Sequence, residues 1–178
     1  MSTPFNIDKL RNPDTRVEAF GEMVRALSPR LYMQIRKIVQ YHDDADDVLQ
    51  NTFLKAWEGL DKFRGDSMLS TWLYKIALNE SLAFLQRQHS AESLNDESGE
   101  AVRTLEADSY FDGDETELML QKAIATLPEK QRIVFNLKYF EEMKYEQMSE
   151  LLDTSVGALK ASYHLAVKKI EQYFHDAD

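Results

Sequence analysis

Three groups of side chains in this sequence have types and spacings that could do chemistry. The first is the acidic run DDADD at 43–47, where carboxylates one helical turn apart could hold a divalent cation. The second sets Phe63, Trp72 and Tyr74 among Arg64, Lys75 and Arg87. Aromatic faces beside cations hold unpaired nucleic acid by stacking on bases and meeting phosphates. Ser67, Ser70 and Asn79 add polar groups able to bond the edge of an extruded base. The third opens at Ser155, which can cap a helix and leave free amides and a positive dipole end aimed at a phosphate. Ala158, Lys160, Ala161, Ser162 and His164 would then lie toward a major groove, with Lys168 and Lys169 toward backbone. Each group has a plainer explanation. Acids cap helices, Trp72 falls on an inward apolar stripe, and two lysines near a helix C-terminus suit the macrodipole with no partner.

Other chemistry is excluded. The chain has no cysteine, hence no disulfide, thiolate zinc site or thiol nucleophile. His42, His89, His164 and His175 show no ligand spacing, so neither a metal nor a cofactor is expected. No apolar run is long enough to cross a bilayer, and MSTPFNIDKLRNP lacks the apolar core of a secretory signal. A cytoplasmic protein with no membrane insertion is the expectation.

The net charge of −10 argues against a nucleic-acid binder until it is mapped. Residues 1–89 carry 12 acids and 12 bases, whereas 90–117 carry 10 acids and one base, and 118–178 carry 9 acids and 8 bases. The excess therefore sits in one middle segment rich in Ser, Asp, Glu and Gly, which reads as a flexible linker. It could also occupy a basic channel of a partner, with Tyr110 and Phe111 as anchors.

The flanking modules must position the three groups, and both read as helical throughout. Val17, Phe20, Val24, Leu27, Leu31, Ile35 and Ile38 recur at helical spacing, interrupted at Ser28-Pro29, which predicts two helices over 15–40. The next helix is expected from Asp44 to Leu60, capped by Asp43 or Asp44, with its stripe on Val48, Leu49, Phe53, Ala56, Trp57 and Leu60. At about 100° per residue, Asp47, Gln50 and Leu54 share a face away from that stripe. A further helix is expected over Met68–Arg87. The second module starts near Leu118, places Pro128 in a first turn, and continues through YEQMSELLD, a DTS break and VGALKASYHLAVKKIEQYF. That is the outline of a helix-turn-helix. Gly157 costs the last helix about 1 kcal/mol relative to Ala, which a close approach to DNA or to the other helix would justify.

Taken together, three stretches resemble the bacterial sigma factors of the extracytoplasmic-function group in the sigma-70 family. DADDVLQNTFLKAW resembles the family's D-A-E-D-L-V-Q-E-T-F-L-R-A-W, FRGDSMLSTWLYKIALN its promoter-melting segment, and LPEKQRIVFNLKYFEEMKYEQMSELLDTSVGALK its C-terminal helix-turn-helix. They come in the family's order, with an acidic linker where the family has one. The resemblance implies an all-α chain of two small helical domains. Residues 1–89 would be sigma domain two, 90–117 the linker and 118–178 sigma domain four. It implies contact with core RNA polymerase through Asp47, Gln50 and Leu54. Recognition and melting of the minus-ten element fall on Phe63, Arg64, Ser67, Ser70, Lys75 and Asn79. Recognition of the minus-thirty-five element falls on Ser155, Ala158, Lys160, Ser162, His164 and Lys168. Promoter DNA and an anti-sigma protein that clamps the two modules are the further partners implied. The sequence departs from the family where arginines are usual, at Ser162, Leu165 and Val167, and where Lys144 replaces a capping serine.

The expected function is a transcription initiation factor, not an enzyme. Two alternatives stand beside it. One is a helix-turn-helix regulator acting without core polymerase, which leaves the first module unexplained. The other is a prenyl-diphosphate enzyme, because DDADD fits the DDxxD pattern; the chain is short for that fold and no second acidic helix is evident.

Overall fold

Apolar residues at a period near 3.6 leave the backbone little choice but helix, and helices are what form. The computed structural model describes residues 5–65, 68–91 and 114–177, among which there are α-helices, one 3-10 turn and no strand. In chain order they are α1 (Ile7–Arg11), α2 (Arg16–Val39), α3 (His42–Gly59), the 3-10 turn Leu60–Lys62 and α4 (Leu69–Ala91). Then follow α5 (Glu115–Ala125), α6 (Glu129–Tyr139), α7 (Tyr145–Leu152) and α8 (Val156–Ala177). The chain divides into two units, Met1–Asn95 and Asp96–Asp178. Most of the acidic stretch, with Tyr110 and Phe111, lies outside the described residues, as does Ser67.

In the first unit α2, α3 and α4 pack on one another, and α1 lies against α2 and the 3-10 turn. Met23, Tyr32 and Ile35 on α2, Val48 on α3 and Leu73 on α4 are fully buried. Each such side chain contributes roughly 1.5–3 kcal/mol of burial. Small buried residues, Ala45, Thr52 and Ala56 on α3 and Ala77 and Ser81 on α4, keep these helices close. Both hydroxyls donate back to their own helix, Thr52 to the Val48 carbonyl and Ser81 to the Ala77 carbonyl, at 2.7 Å each.

Two expectations fail here for identifiable reasons. The break at Ser28-Pro29 does not occur: α2 runs through it as one helix. An interior proline costs about 3 kcal/mol. Burial of Met23 before it and of Leu31, Tyr32 and Ile35 after it exceeds that cost, and Pro29 itself stays exposed. The cap of α3 is Tyr41, in extended geometry, not Asp43 or Asp44. Those acids occupy the first turn, where they favour the helix dipole. The start of α3 is fixed instead by His42, whose Nδ1 lies 2.6 Å from the buried Tyr32 hydroxyl and whose Nε2 lies 3.3 Å from Asp46.

In the second unit α5, α6 and α7 all pack on α8. Its core gathers Ala123, Ile124, Leu127, Phe135, Ala166 and Ile170. Helix α5 begins at Glu115, earlier than the expected Leu118, because Asp114 accepts a 2.9 Å bond from the Glu117 amide. Pro128 takes the cap position of α6 rather than its first turn. The break between α7 and α8 turns on Asp153, which adopts left-handed backbone at φ 47°.

Candidate polymerase and nucleic-acid interfaces

Asp47, Gln50 and Leu54 stand together on the outer face of α3, all exposed, with Leu54 61% accessible. Val48 and Ala56, on the opposite stripe, are buried. Beside this face Trp57 is still 36% exposed. The rest of its ring is packed by Phe20 (5.0 Å between centroids) and by the Arg16 guanidinium 4.5 Å above it. An exposed apolar ridge bordered by a carboxylate and an amide is suited to a protein partner.

The loop after the 3-10 turn is built differently from its sequence reading. Phe63 is only 5% exposed and packs on Trp72, ring centroids 5.0 Å apart. Its ring therefore offers no free stacking face, which corrects its expected place among the base-contacting residues; it serves as the loop's anchor. Tyr74 is likewise tied inward, with the Arg30 guanidinium 5.1 Å over its ring. Gly65 sits at φ +81°, a backbone that side chains rarely adopt. Arg64, Lys75 and Asn79 are exposed and Ser70 is half-buried.

Trp72 and Asn79 meet at a cavity of about 390 Å³ between α3 and α4, lined also by Lys55, Gly59, Lys62, Ile76 and Glu80. Trp72 and Ile76 line it with apolar surface, Asn79 contributes an amide, and Lys55 and Lys62 are its two lysines. A Cβ at Gly59 would come within 3.3 Å of Trp72 Cζ2, a tight contact that the indole could relieve only by shifting a few tenths of an ångström. Ser70, Lys75 and Arg64 do not line this space. Sequence reasoning missed Lys55, Gly59, Lys62 and Glu80. The available signal was Lys55 and Gly59 four residues apart, one turn of α3.

In the second unit the expected helix-turn-helix is α7–turn–α8. Ser155 caps α8, its Oγ accepting from the Ala158 amide at 3.2 Å. Leu159, Ala166 and Ile170 face inward. Ala158, Lys160, His164 and Lys168 are exposed and Ser162 is half-buried. Of the three departures, Leu165 is exposed, Ser162 is half-buried, and Val167 is half-buried and packs against the core. At Gly157 a Cβ would meet nothing within 4 Å, so no neighbouring helix accounts for that glycine. The Lys144 amide, at the cap of α7, donates to Gln147 Oε1 at 3.2 Å, a bond that does not need the family's serine. The Tyr145 ring lies between two ammonium groups, Lys138 at 4.8 Å and Lys160 at 5.7 Å. Burial, and then the neighbouring Tyr163, push the Tyr145 hydroxyl above its ordinary pKa.

Residues 23–91 match the family model Sigma-70 region 2, and residues 117–170 match Sigma-70, region 4. The chain is 31% identical to the ECF RNA polymerase sigma-E factor of Escherichia coli K12, an alignment covering 72% of each protein. The chain belongs to the sigma-70 family, in its ECF group. It is 28% identical to the RNA polymerase sigma-H factor of Pseudomonas aeruginosa over 93% of this chain and 90% of that one. Its fold is shared with two solved structures. One is RpoE bound to the anti-sigma factor NepR from Bartonella quintana (TM-score 0.57, 22% identity, 88% of this chain and 96% of that one). Another is CnrH in complex with the cytosolic domain of CnrY (TM-score 0.55, 24% identity, 97% and 99%).

This sigma factor is a promoter-directing transcription initiation factor, and its family is not one of enzymes. The aspartates of DDADD thus open a helix of sigma region 2, and the prenyl-diphosphate reading gives way. So does the regulator without polymerase, because the first unit carries a sigma region of its own. Among the described residues no helix is long and apolar enough to cross a membrane.

Proposed function

We propose that the exposed Asp47, Gln50 and Leu54 dock this sigma factor on core RNA polymerase, and that the cavity beside Asn79 receives a base extruded from the non-template strand of the minus-ten element. The cavity carries this reading. It combines an indole for stacking, an amide for a base edge and lysines for phosphate within the reach of one nucleotide. Arg64, Ser70 and Lys75 then guide the strand outside the cavity, and buried Phe63 holds the loop in place; Ser67 is proposed as a further contact to the minus-ten element. Helix α8 enters the upstream element with Ser155, Ala158, Lys160, Ser162 and His164, while Lys168 meets backbone. No covalent chemistry is involved. Residues 1–89 and 118–178 act as the two DNA-handling modules and 90–117 as the linker, in the cytoplasm. One solved relative of this fold, RpoE of Bartonella quintana, is bound to an anti-sigma factor. A protein of that kind, clamping both modules, is the partner proposed for the uninduced state. Run-off transcription with core polymerase on a library of promoter fragments tests the whole reading. Specific initiation from a subset of fragments supports it, and no transcript above core polymerase alone refutes it.

A further inference from the structure

Residues 7–16 precede the stretch that matches Sigma-70 region 2, yet they hold the loop beside the cavity. Arg11 donates from its guanidinium to the Phe63 carbonyl. The Ile7 Cδ1 lies 3.7 Å from where a Cβ on Gly65 would be. Arg16 secures the other end of the 3-10 turn, donating to the Trp57 carbonyl at 2.7 Å and pairing with Asp61 at 3.0 Å. The segment that carries these groups is itself fixed. Asn6 caps α1 through the Asp8 and Lys9 amides, Leu10 is buried, and Thr15 donates to the Lys9 carbonyl at 2.8 Å.

We infer that α1 is a brace for base capture and that Arg11 is its positioning residue, acting through the Phe63 backbone on the loop and on the Trp72 wall. The inference rests on the proposed use of the cavity. Phe63 packs on Trp72, and Trp72 lines the cavity, so the bond at the Phe63 carbonyl sets both the loop's exit angle and the indole's seat. Gly65 has backbone freedom that no side chain restrains, so a support from outside the loop is what fixes its path. Arg11 touches no proposed ligand.

The test uses the full-length chain assembled with core polymerase. The probe is a fluorescein-labelled single strand bearing the non-template minus-ten sequence of a promoter obtained by run-off selection. Arg11→Ala should weaken strand binding by about tenfold, the scale of one lost charge-assisted hydrogen bond, with affinity for core polymerase unchanged. Arg11→Lys keeps a cationic donor and should recover part of the loss. Asn79→Ala serves as the control for the cavity itself. If Asn79→Ala weakens strand binding and Arg11→Ala binds like the parent, the brace is refuted while base capture stands. Should neither change matter, the cavity reading fails and takes the brace with it. Equal losses of core affinity and strand binding in Arg11→Ala overturn the inference, because they mark a general structural role.

Discussion

Lys55 on α3 and Glu80 on α4 form an ion pair whose two ends live in different solvents: the lysine side chain is 59% exposed and the glutamate only 7%. The pair forms one wall of the cavity. Such asymmetry makes the two residues unequal partners. Removing Lys55 strands a buried carboxylate, whereas removing Glu80 frees a lysine that water already reaches.

Lys55→Met should therefore destabilise the first unit by about 1–3 kcal/mol, the cost of an unsatisfied buried acceptor. Glu80→Gln should cost less. The double change Lys55→Met with Glu80→Leu should return close to the parent, since replacing both members of a buried pair by apolar groups is often neutral. Thermal denaturation of the three variants checks the order. A Lys55→Met variant as stable as the parent shows that the pair contributes nothing.

On α3, Gln50→Ala and Leu54→Ala should weaken association with core polymerase and shift stability by no more than about 0.5 kcal/mol, as expected of exposed sites. Competition against a labelled parent for limiting core polymerase measures the first quantity, and thermal melting the second. Parent-like competition by both variants would place the docking face elsewhere.

Asn79→Ala should hurt strand opening more than closed-complex formation. The loss belongs to the scale of base stacking and edge contacts, about 1–3 kcal/mol per base. Permanganate reactivity on a duplex promoter and on the same promoter with its minus-ten element pre-melted separates the steps. A defect of equal size on both templates argues against a specific part in melting.

For α8 the prediction is a shallow salt dependence. Ser162 and Leu165 supply no cation, and each phosphate contact contributes roughly 0.9 to the slope of log affinity against log salt. Lys160→Ala should reduce affinity for the upstream element, and Lys168→Ala should do so almost uniformly across sequences. Because Tyr145 holds Lys160 and Lys138 over its ring, Tyr145→Leu should loosen both while Tyr145→Phe should not. Filter binding of the full-length chain with core polymerase to promoters differing only upstream reads these effects. A steep slope would require cationic contacts beyond those of α8.

Much of this was legible in the sequence because burial periodicity was strong. Val48 and Ala56 are buried as the spacing predicted, although Trp57 on the same expected stripe stays partly open, and so the outer face of α3 could be named. What failed was decided by distant partners. The apolar stripe keeps its phase across Pro29, from Leu27 to Leu31, but only the burial on both sides decides that α2 runs through. For Phe63 the residue types leave both a base-stacking and a core role open, and only the cover given by Trp72 from another helix decides for the core. Lys55, Lys62 and Glu80 look like solvated charges, and only the approach of α3 to α4 gathers them round one cavity.

The chain holds two tryptophans, and each stands at a different proposed interface: Trp57 is half-open beside the α3 docking face, and Trp72 lines the cavity. The molecule thereby carries two native optical reporters that differ in setting. Trp57→Phe leaves an emission spectrum that answers to the strand, and Trp72→Phe leaves one that answers to the polymerase. Stopped-flow traces from the pair would time docking and base entry separately in one unlabelled protein.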